Sequence, residues 1–166
     1  DGRQAVSASK DGAVKIWDLE SGHESGTLQV DAGRVMLPVS VVAVSADGRT
    51  VVFESWGHSL SVWDLADGRE RCTLTGHHRP IQWVALSADG RMAVSASADR
   101  TLKVWDLDSG LERCTLTGHT SEVKMVALSS DGRMAVSAST NRILRVWDLD
   151  SGQERCTLAG YQHDLY

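Results

Sequence analysis

Three residue types that could do chemistry together recur at fixed intervals along this chain. His77, Ser95 and Asp99 are the residue types of a serine hydrolase triad. A second copy lies 42 residues later, with an amide in place of the carboxylate: His119, Ser137 and Asn141. A catalytic triad needs one site with an exposed nucleophile and an oxyanion hole, whereas recurrence is typical of structural elements. We therefore predict no catalytic residue in this set, and a chain that is not an enzyme.

Metal and cofactor sites have equally weak sequence support. The pair His77-His78 could offer two nitrogens to a metal ion, but only the first histidine recurs in the later copy. No phosphate-binding loop, dinucleotide-binding fingerprint, calcium loop or hydrolase nucleophile elbow is present in the sequence. We therefore predict no metal and no cofactor.

The elements that position these residues are repeated segments. Each segment ends an apolar run with Trp-Asp, beginning at Trp17, Trp63, Trp105 and Trp147, at spacings of 46, 42 and 42 residues. Segments 76–117 and 118–159 are identical at about two-thirds of aligned positions, which indicates duplication of one unit. A repeat of this length that cannot bury its own faces is stabilised by stacking on its neighbours.

Within one repeat the pattern predicts four short strands and no helix. Ile81–Ser87 is nearly continuous and apolar, Arg91–Ser97 is rich in small residues, and Thr101–Asp106 carries the Trp-Asp pair. Leu111–Thr117 forms the fourth strand, and turns of the Asp-Gly and Ser-Gly type separate the strands. The prediction is an all-β protein built from four-stranded antiparallel sheets.

These features resemble the WD-repeat β-propeller family over essentially the whole chain. The resemblance depends on Gly76-His77 and Gly118-His119, the Asp-Gly turn, the Asp six residues before Trp, and the Trp-Asp pair itself. It implies a buried hydrogen-bonded chain of His, Ser or Thr, Asp and Trp in each blade. The residues at those positions are His77, Ser95, Asp99 and Trp105 in blade 3, His119, Ser137, Asn141 and Trp147 in blade 4, and Ser7, Asp11 and Trp17 in blade 1. Leaving one such group buried and unpaired would cost about 1–3 kcal/mol.

Blade 2 departs from this pattern. Phe53 takes the Ser position, Gly57 takes the Asp position, and the Gly-His pair is missing near Gly33-Arg34. The segment 30–38 is expected to form a longer, irregular loop, and this blade should be the least rigid. Trp56 falls in a short turn, where a large apolar residue is a candidate contact for a partner. Neutral divergence of this copy is the alternative.

Composition narrows the classes of partner and compartment. The formal net charge is −5 with Lys and Arg scattered, which argues against nucleic acid as a partner. No run of about 20 apolar residues is present, so no membrane span is expected. Cys72, Cys114 and Cys156 occupy equivalent positions in successive blades, too far apart for disulfides. We expect them to be small buried residues in a reducing compartment, which predicts a cytoplasmic protein.

The predicted organisation is a single propeller segment of about four blades. Its limits are blade 1 at 1–29, lacking its inner strand, blade 2 at 34–75, blade 3 at 76–117, blade 4 at 118–159 and a tail at 160–166. Because rings of this class close with four to eight blades, the segment is expected to be the C-terminal part of a larger ring. The alternative is that copies associate to close one.

The resemblance implies a non-catalytic scaffold or sensor that binds a protein or peptide, or another domain of its parent chain, at the rim of the propeller. The close similarity of the copies resembles arrays in bacterial multidomain signalling proteins. The predicted rim residues are Lys10, Trp56, Pro80, Gln82, Ala98, Glu122, Lys124 and Thr140. A ligand-binding propeller and a propeller enzyme are less favoured alternatives.

Overall fold

The regular structure of this chain is entirely β in the residues that the structure describes. The computed structural model describes residues 3–9, 13–29 and 41–159. The strands within these ranges are β1 Gln4–Ala8, β2 Ala13–Asp18, β3 Glu24–Gln29, β4 Val42–Val44, β5 Thr50–Ser55, β6 Ser59–Asp64, β7 Arg69–Leu74, β8 Ile81–Leu86, β9 Met92–Ser97, β10 Leu102–Asp106, β11 Leu111–Leu116, β12 Val123–Leu128, β13 Met134–Ser139, β14 Leu144–Asp148 and β15 Gln153–Leu158. In these ranges no helix has the length and apolar character needed to span a membrane.

The strands form four separate sheets, each made of strands consecutive in sequence. Strands β1–β3 form a three-stranded sheet, and β4–β7, β8–β11 and β12–β15 each form a four-stranded antiparallel sheet. We call these sheets blades 1 to 4. The prediction of an all-β protein with blades of four antiparallel strands is confirmed for blades 2 to 4, and the described part of blade 1 has three strands.

Short polar turns set the register of each blade. Between β8 and β9, Asp89 accepts hydrogen bonds from the Ser87 hydroxyl at 2.6 Å and from the Arg91 amide at 3.1 Å. Gly90 follows with a φ of 67°, a left-handed conformation that favours glycine. Between β10 and β11, the Asp106 carboxylate accepts from the Ser109 amide at 2.8 Å. Local residue chemistry therefore determines where each strand ends.

The core lies between blades rather than within them. We call the side of a blade that meets the next blade its trailing face, and the side that meets the previous blade its leading face. The trailing face of blade 3, which includes Val94 and Leu116, packs against the leading face of blade 4, which includes Ala135, Trp147 and Leu149. The same arrangement joins blades 2 and 3 and blades 1 and 2. Each blade is thus stabilised by its neighbours.

The prediction that all three cysteines are buried is wrong: two are only half-buried and one is exposed. All three are free thiols, but Cys72 and Cys114 are half-buried and Cys156 is exposed. The cause is the position of Cys156 on the outer strand of blade 4, whose trailing face is not covered by another blade in the described residues. Equivalent residues therefore differ in exposure because their neighbours differ.

Candidate functional site

The predicted polar network is complete in blade 3. The imidazole Nε2 of His77 lies 2.7 Å from the Ser95 hydroxyl, and Nδ1 lies 2.7 Å from the Asp99 carboxylate. The indole N–H of Trp105 donates to the same Ser95 oxygen at 2.9 Å. Because Asp99 accepts from Nδ1–H, the Ser95 hydroxyl donates to Nε2. Each buried polar group of this four-residue network thus has a hydrogen-bond partner.

Electrostatics favour a neutral imidazole beside a charged carboxylate. Burial lowers the pKa of His77 and outweighs the opposing effect of Asp99. Partial burial raises the pKa of Asp99, but hydrogen bonds from Thr101 and His77 outweigh it and bring the pKa to about 2. Thr101 donates its hydroxyl to Asp99 at 2.6 Å, and the His78 amide donates at 3.1 Å. The network therefore anchors the β9–β10 turn to the segment before β8.

The same geometry explains why this set is not arranged for hydrolysis. Ser95 has no exposed surface, and its oxygen already accepts from Trp105. Both ring nitrogens of His77 are occupied, which leaves none for a metal ion. Within the described ranges, no cluster of three or more His, Cys, Asp or Glu side chains could hold a metal. A buried serine cannot attack a substrate that arrives from solvent.

In blade 4 the network is shorter than predicted. His119 contacts the Ser137 hydroxyl at 2.7 Å, and Trp147 donates to that oxygen at 2.8 Å. Asn141 does not join them: its oxygen accepts from Ser139 at 2.5 Å and its amide donates to Thr120 at 3.0 Å. The Nδ1 atom of His119 is buried without a hydrogen-bond partner in the described residues. The prediction that Asn141 substitutes for Asp in the network is therefore wrong.

Asn141 does not bond to His119 because an amide has fewer acceptor oxygens than a carboxylate. Asp99 has two acceptor oxygens and uses one for Thr101 and the other for His77, whereas an amide has a single acceptor oxygen. In blade 4, Ser139 occupies that oxygen. Burial, together with the positive charge of Arg145, lowers the pKa of His119 to about 4.

Blades 1 and 2 each retain only part of the arrangement. In blade 1, Trp17 donates to Ser7 at 2.8 Å, while Asp11 lies outside the described residues. In blade 2, Phe53 replaces the serine, and its ring centre lies 6.2 Å from that of Trp63. The Trp63 indole nitrogen is buried with no hydrogen-bond partner in the described part of the chain. An aromatic contact thus takes the place of the polar one.

The structure brings most of the predicted rim residues together on blades 3 and 4, although Ala98 is itself buried. The Ala98 amide donates to the Pro80 carbonyl at 3.0 Å, and in blade 4 the Thr140 amide donates to the Glu122 carbonyl at 2.9 Å. The Lys124 ammonium connects the two blades, donating to Gln82 at 3.0 Å and to Glu122 at 2.9 Å. We call these six residues the rim cluster.

A cavity of about 670 Å³ opens at this rim between blades 3 and 4. It is lined by three members of the rim cluster, Ala98, Glu122 and Thr140, and by residues that sequence reasoning missed, among them Arg79 and Arg100. Arg100 has a φ of 73° and its counterpart Arg142 a φ of 66°, a conformation uncommon for a residue with a side chain. The recurrence of Arg after Asp99 and after Asn141 was the available sequence signal.

The remaining rim predictions fall on blades 1 and 2. Trp56 lies in the β5–β6 turn with 52% of its surface exposed, as its position between two strands suggested. Lys10 and the predicted loop at 30–38 lie outside the described residues. Trp56 is therefore an exposed apolar residue on the blade next to the rim cluster.

Comparison with known proteins agrees with this architecture. A family model described as WD domain, G-beta repeat matches residues 1–18, 68–106 and 110–148, more than half of the chain. The unmatched part includes most of blade 2, in which Phe53 and Gly57 replace the serine and the aspartate of the network. No curated protein sequence matches the chain. WD repeats generally mediate protein–protein interaction and are typically non-enzymatic. The predicted resemblance is thus confirmed, and the chain belongs to the WD-repeat family.

Proposed function

We propose that this chain is a non-catalytic interaction scaffold that binds a protein or peptide segment at the rim cluster. The observation that carries the proposal is the cavity of about 670 Å³ between blades 3 and 4, to which both blades contribute side chains. A site shared by two blades is formed only when the blades are stacked. Binding would therefore depend on the folded array and not on a single repeat.

The buried network of blade 3 stabilises one wall of this cavity. Asp99 lines the cavity and is also held by His77 and Thr101. Its hydrogen bonds hold the turn that carries Arg100 at the cavity wall. A rigid turn loses little conformational entropy on binding, which favours affinity.

The charges at the rim indicate what kind of segment fits. Arg79 and Arg100 line the cavity and provide guanidinium donors suited to carboxylates. Glu122 is already paired with Lys124. A segment with an acidic side chain fits the cavity, and an apolar neighbour could pack on exposed Trp56.

Finer assignments belong to the same proposal. A sensor or scaffold role within a larger bacterial signalling protein, in the cytoplasm, is supported only by the resemblance of near-identical repeats to such arrays. The limits of the four blades and of the tail stay predictions. So does the exclusion of nucleic acid as a partner, which depends on the net charge of −5.

Selection of a peptide-display library on the folded chain tests the rim. Enriched peptides should lose at least ten-fold in affinity for the double variant Trp56→Ala with Arg79→Glu, which removes one of the two guanidinium donors of the cavity. They should bind normally to Arg69→Glu with Leu111→Ala, a matched control at exposed positions of β7 and β11. Circular dichroism must show that both variants fold. Peptides that lose affinity only for the control variant would contradict the proposal.

A further inference from the structure

Two exposed faces of this chain have the residues of a covered blade–blade interface. Four positions show this on the trailing side. Val94 of blade 3 and Val136 of blade 4 each lie eleven residues before the Trp of their blade, and Val94 is fully buried whereas Val136 is 39% exposed. Leu116 of blade 3 and Leu158 of blade 4 each lie eleven residues after that Trp, and Leu116 is 1% exposed whereas Leu158 is 47% exposed. The same residue types at equivalent positions thus differ only in what covers them.

The leading face of blade 1 is the other exposed face. The leucine two residues after each Trp is 1% exposed at Leu107 and 4% exposed at Leu149, but 56% exposed at Leu19. In blades 3 and 4 these leucines pack on the trailing face of the preceding blade. Within the described residues, blade 1 therefore presents a leading face without the trailing face that covers its counterparts.

Contacts at the edge of the interface match as well. Arg71 on blade 2 donates to the Leu107 carbonyl of blade 3 at 3.3 Å and lies 3.6 Å from the Asp108 carboxylate. Arg155, which pairs with Asp148 of its own blade at 2.9 Å, occupies the position of Arg71 on blade 4, and Glu20 occupies that of Asp108 on blade 1. The two free faces are thus complementary in charge in the same sense as the covered pair.

A third pair of positions, a cysteine facing a glycine, matches in shape. A methyl group built on Gly110 would lie 3.2 Å from the Cys72 sulfur, so blade 3 approaches blade 2 closely there. Gly152 meets Cys114 in the same way, at 3.4 Å. On the free faces, Cys156 is exposed, and nothing lies within 4 Å of such a group at Gly22.

We propose that the trailing face of blade 4 binds the leading face of blade 1 of a second copy of this chain, head to tail. Leu19 would then pack where Leu107 and Leu149 pack in the covered interfaces, Arg155 would meet Glu20, and Cys156 would meet Gly22. This contact is heterologous, so it forms a ring if the rotation closes and an open chain if it does not. Two copies of the four described sheets would bring eight sheets together, a number within the usual range for propellers.

Complementation between variants tests both the contact and its polarity. Val136→Arg should block the trailing face and Leu19→Arg the leading face, and both positions are exposed enough to accept the change. In light scattering at about 50 µM, the chain should give at least twice the 18.0 kDa monomer mass, and each variant alone should be monomeric. An equimolar mixture should form a dimer through the one intact pair of faces. Leu111→Arg, at an exposed position of β11, is the matched control and should associate like the unmodified chain.

Cysteine alkylation gives a second measurement with internal references. When the chain is diluted to monomer, Cys156 should react with iodoacetamide faster than Cys72 and Cys114. In the assembled state its rate should fall to that of the half-buried pair. Arg155→Glu should weaken association about two- to five-fold, and adding Glu20→Arg on the same chain should restore it.

Three results would overturn the proposal. One is a monomer of 18.0 kDa at every concentration tested. Another is loss of association in Val136→Arg that Leu19→Arg does not share, since this indicates two trailing faces in contact. The third is a Cys156 alkylation rate that does not change on assembly.

Discussion

Replacing Asp99 by alanine tests whether the polar network stabilises blade 3. Asp99 accepts hydrogen bonds from the His77 ring, the His78 amide and both donors of Thr101. The His77 side chain has no exposed surface, so its Nδ1–H would be left buried with only the Thr101 hydroxyl, 3.5 Å away, as an acceptor. That loss alone costs about 1–3 kcal/mol.

The pKa of Asp99 provides a second magnitude, which overlaps with the first. Its folded value of about 2 is below the ordinary 3.8, so the charged form is stabilised by folding. A difference of this size corresponds to about 2 kcal/mol of unfolding free energy at neutral pH. The sign follows directly: this contribution is present above pH 3.8 and is lost as the pH falls toward 2. Because both values include the bond to His77, we expect a total of about 2–3 kcal/mol for Asp99→Ala.

Asn141→Ala is the matched control, because it removes the equivalent residue of blade 4. Asn141 bonds to Thr120, which is exposed, and to Ser139, which retains the Ile143 carbonyl at 3.1 Å. Its loss should cost about 1 kcal/mol or less. Urea unfolding followed by tryptophan fluorescence measures both variants, and hydrogen exchange of β9 and β10 checks that the loss is in blade 3. Equal losses for the two variants would refute the reasoning.

Other predictions concern acid, packing and local opening. The folded pKa of His119 is about 4, below the ordinary 6.5. The contribution of His119 to stability should therefore be complete above pH 6.5, and the unfolding free energy should fall by about 3 kcal/mol toward pH 4, as measured by pH-dependent urea melts. Asn141→Asp should flatten this dependence by giving Nδ1 an acceptor. Leu116→Ala should cost about 2–5 kcal/mol because its side chain is 1% exposed, whereas Leu158→Ala in the dilute monomer should cost under about 1; similar urea midpoints would contradict this. Amides of Trp56–His58 should exchange faster than those of Ala98–Arg100, since the blade 2 turn has glycine at the position of Asp99; slower exchange would show that the network does not control opening.

The repeat and its strands could be predicted from the sequence because their causes are local. Trp-Asp pairs at a fixed period, Asp-Gly turns and short apolar runs predict the strand limits of blade 3 to within one residue. The absence of a polar partner for Trp63 also followed from sequence, because Phe53 stands where the other blades have serine. The residue type at a single position is sufficient to predict the limits of a strand or the loss of one hydrogen bond.

The hydrogen bonds of Asn141 and the exposure of equivalent residues depend on tertiary structure. Whether an amide reaches His119 depends on competing donors such as Ser139, which only the folded arrangement brings near. Val94 and Val136 have identical local sequences on both sides, yet one is fully buried and the other 39% exposed. Burial is a property of the neighbouring blade and not of the residue, so no local pattern distinguishes the two. For the same reason, sequence determined the chemistry of each face, and only the packing of one blade on another decided which faces are covered.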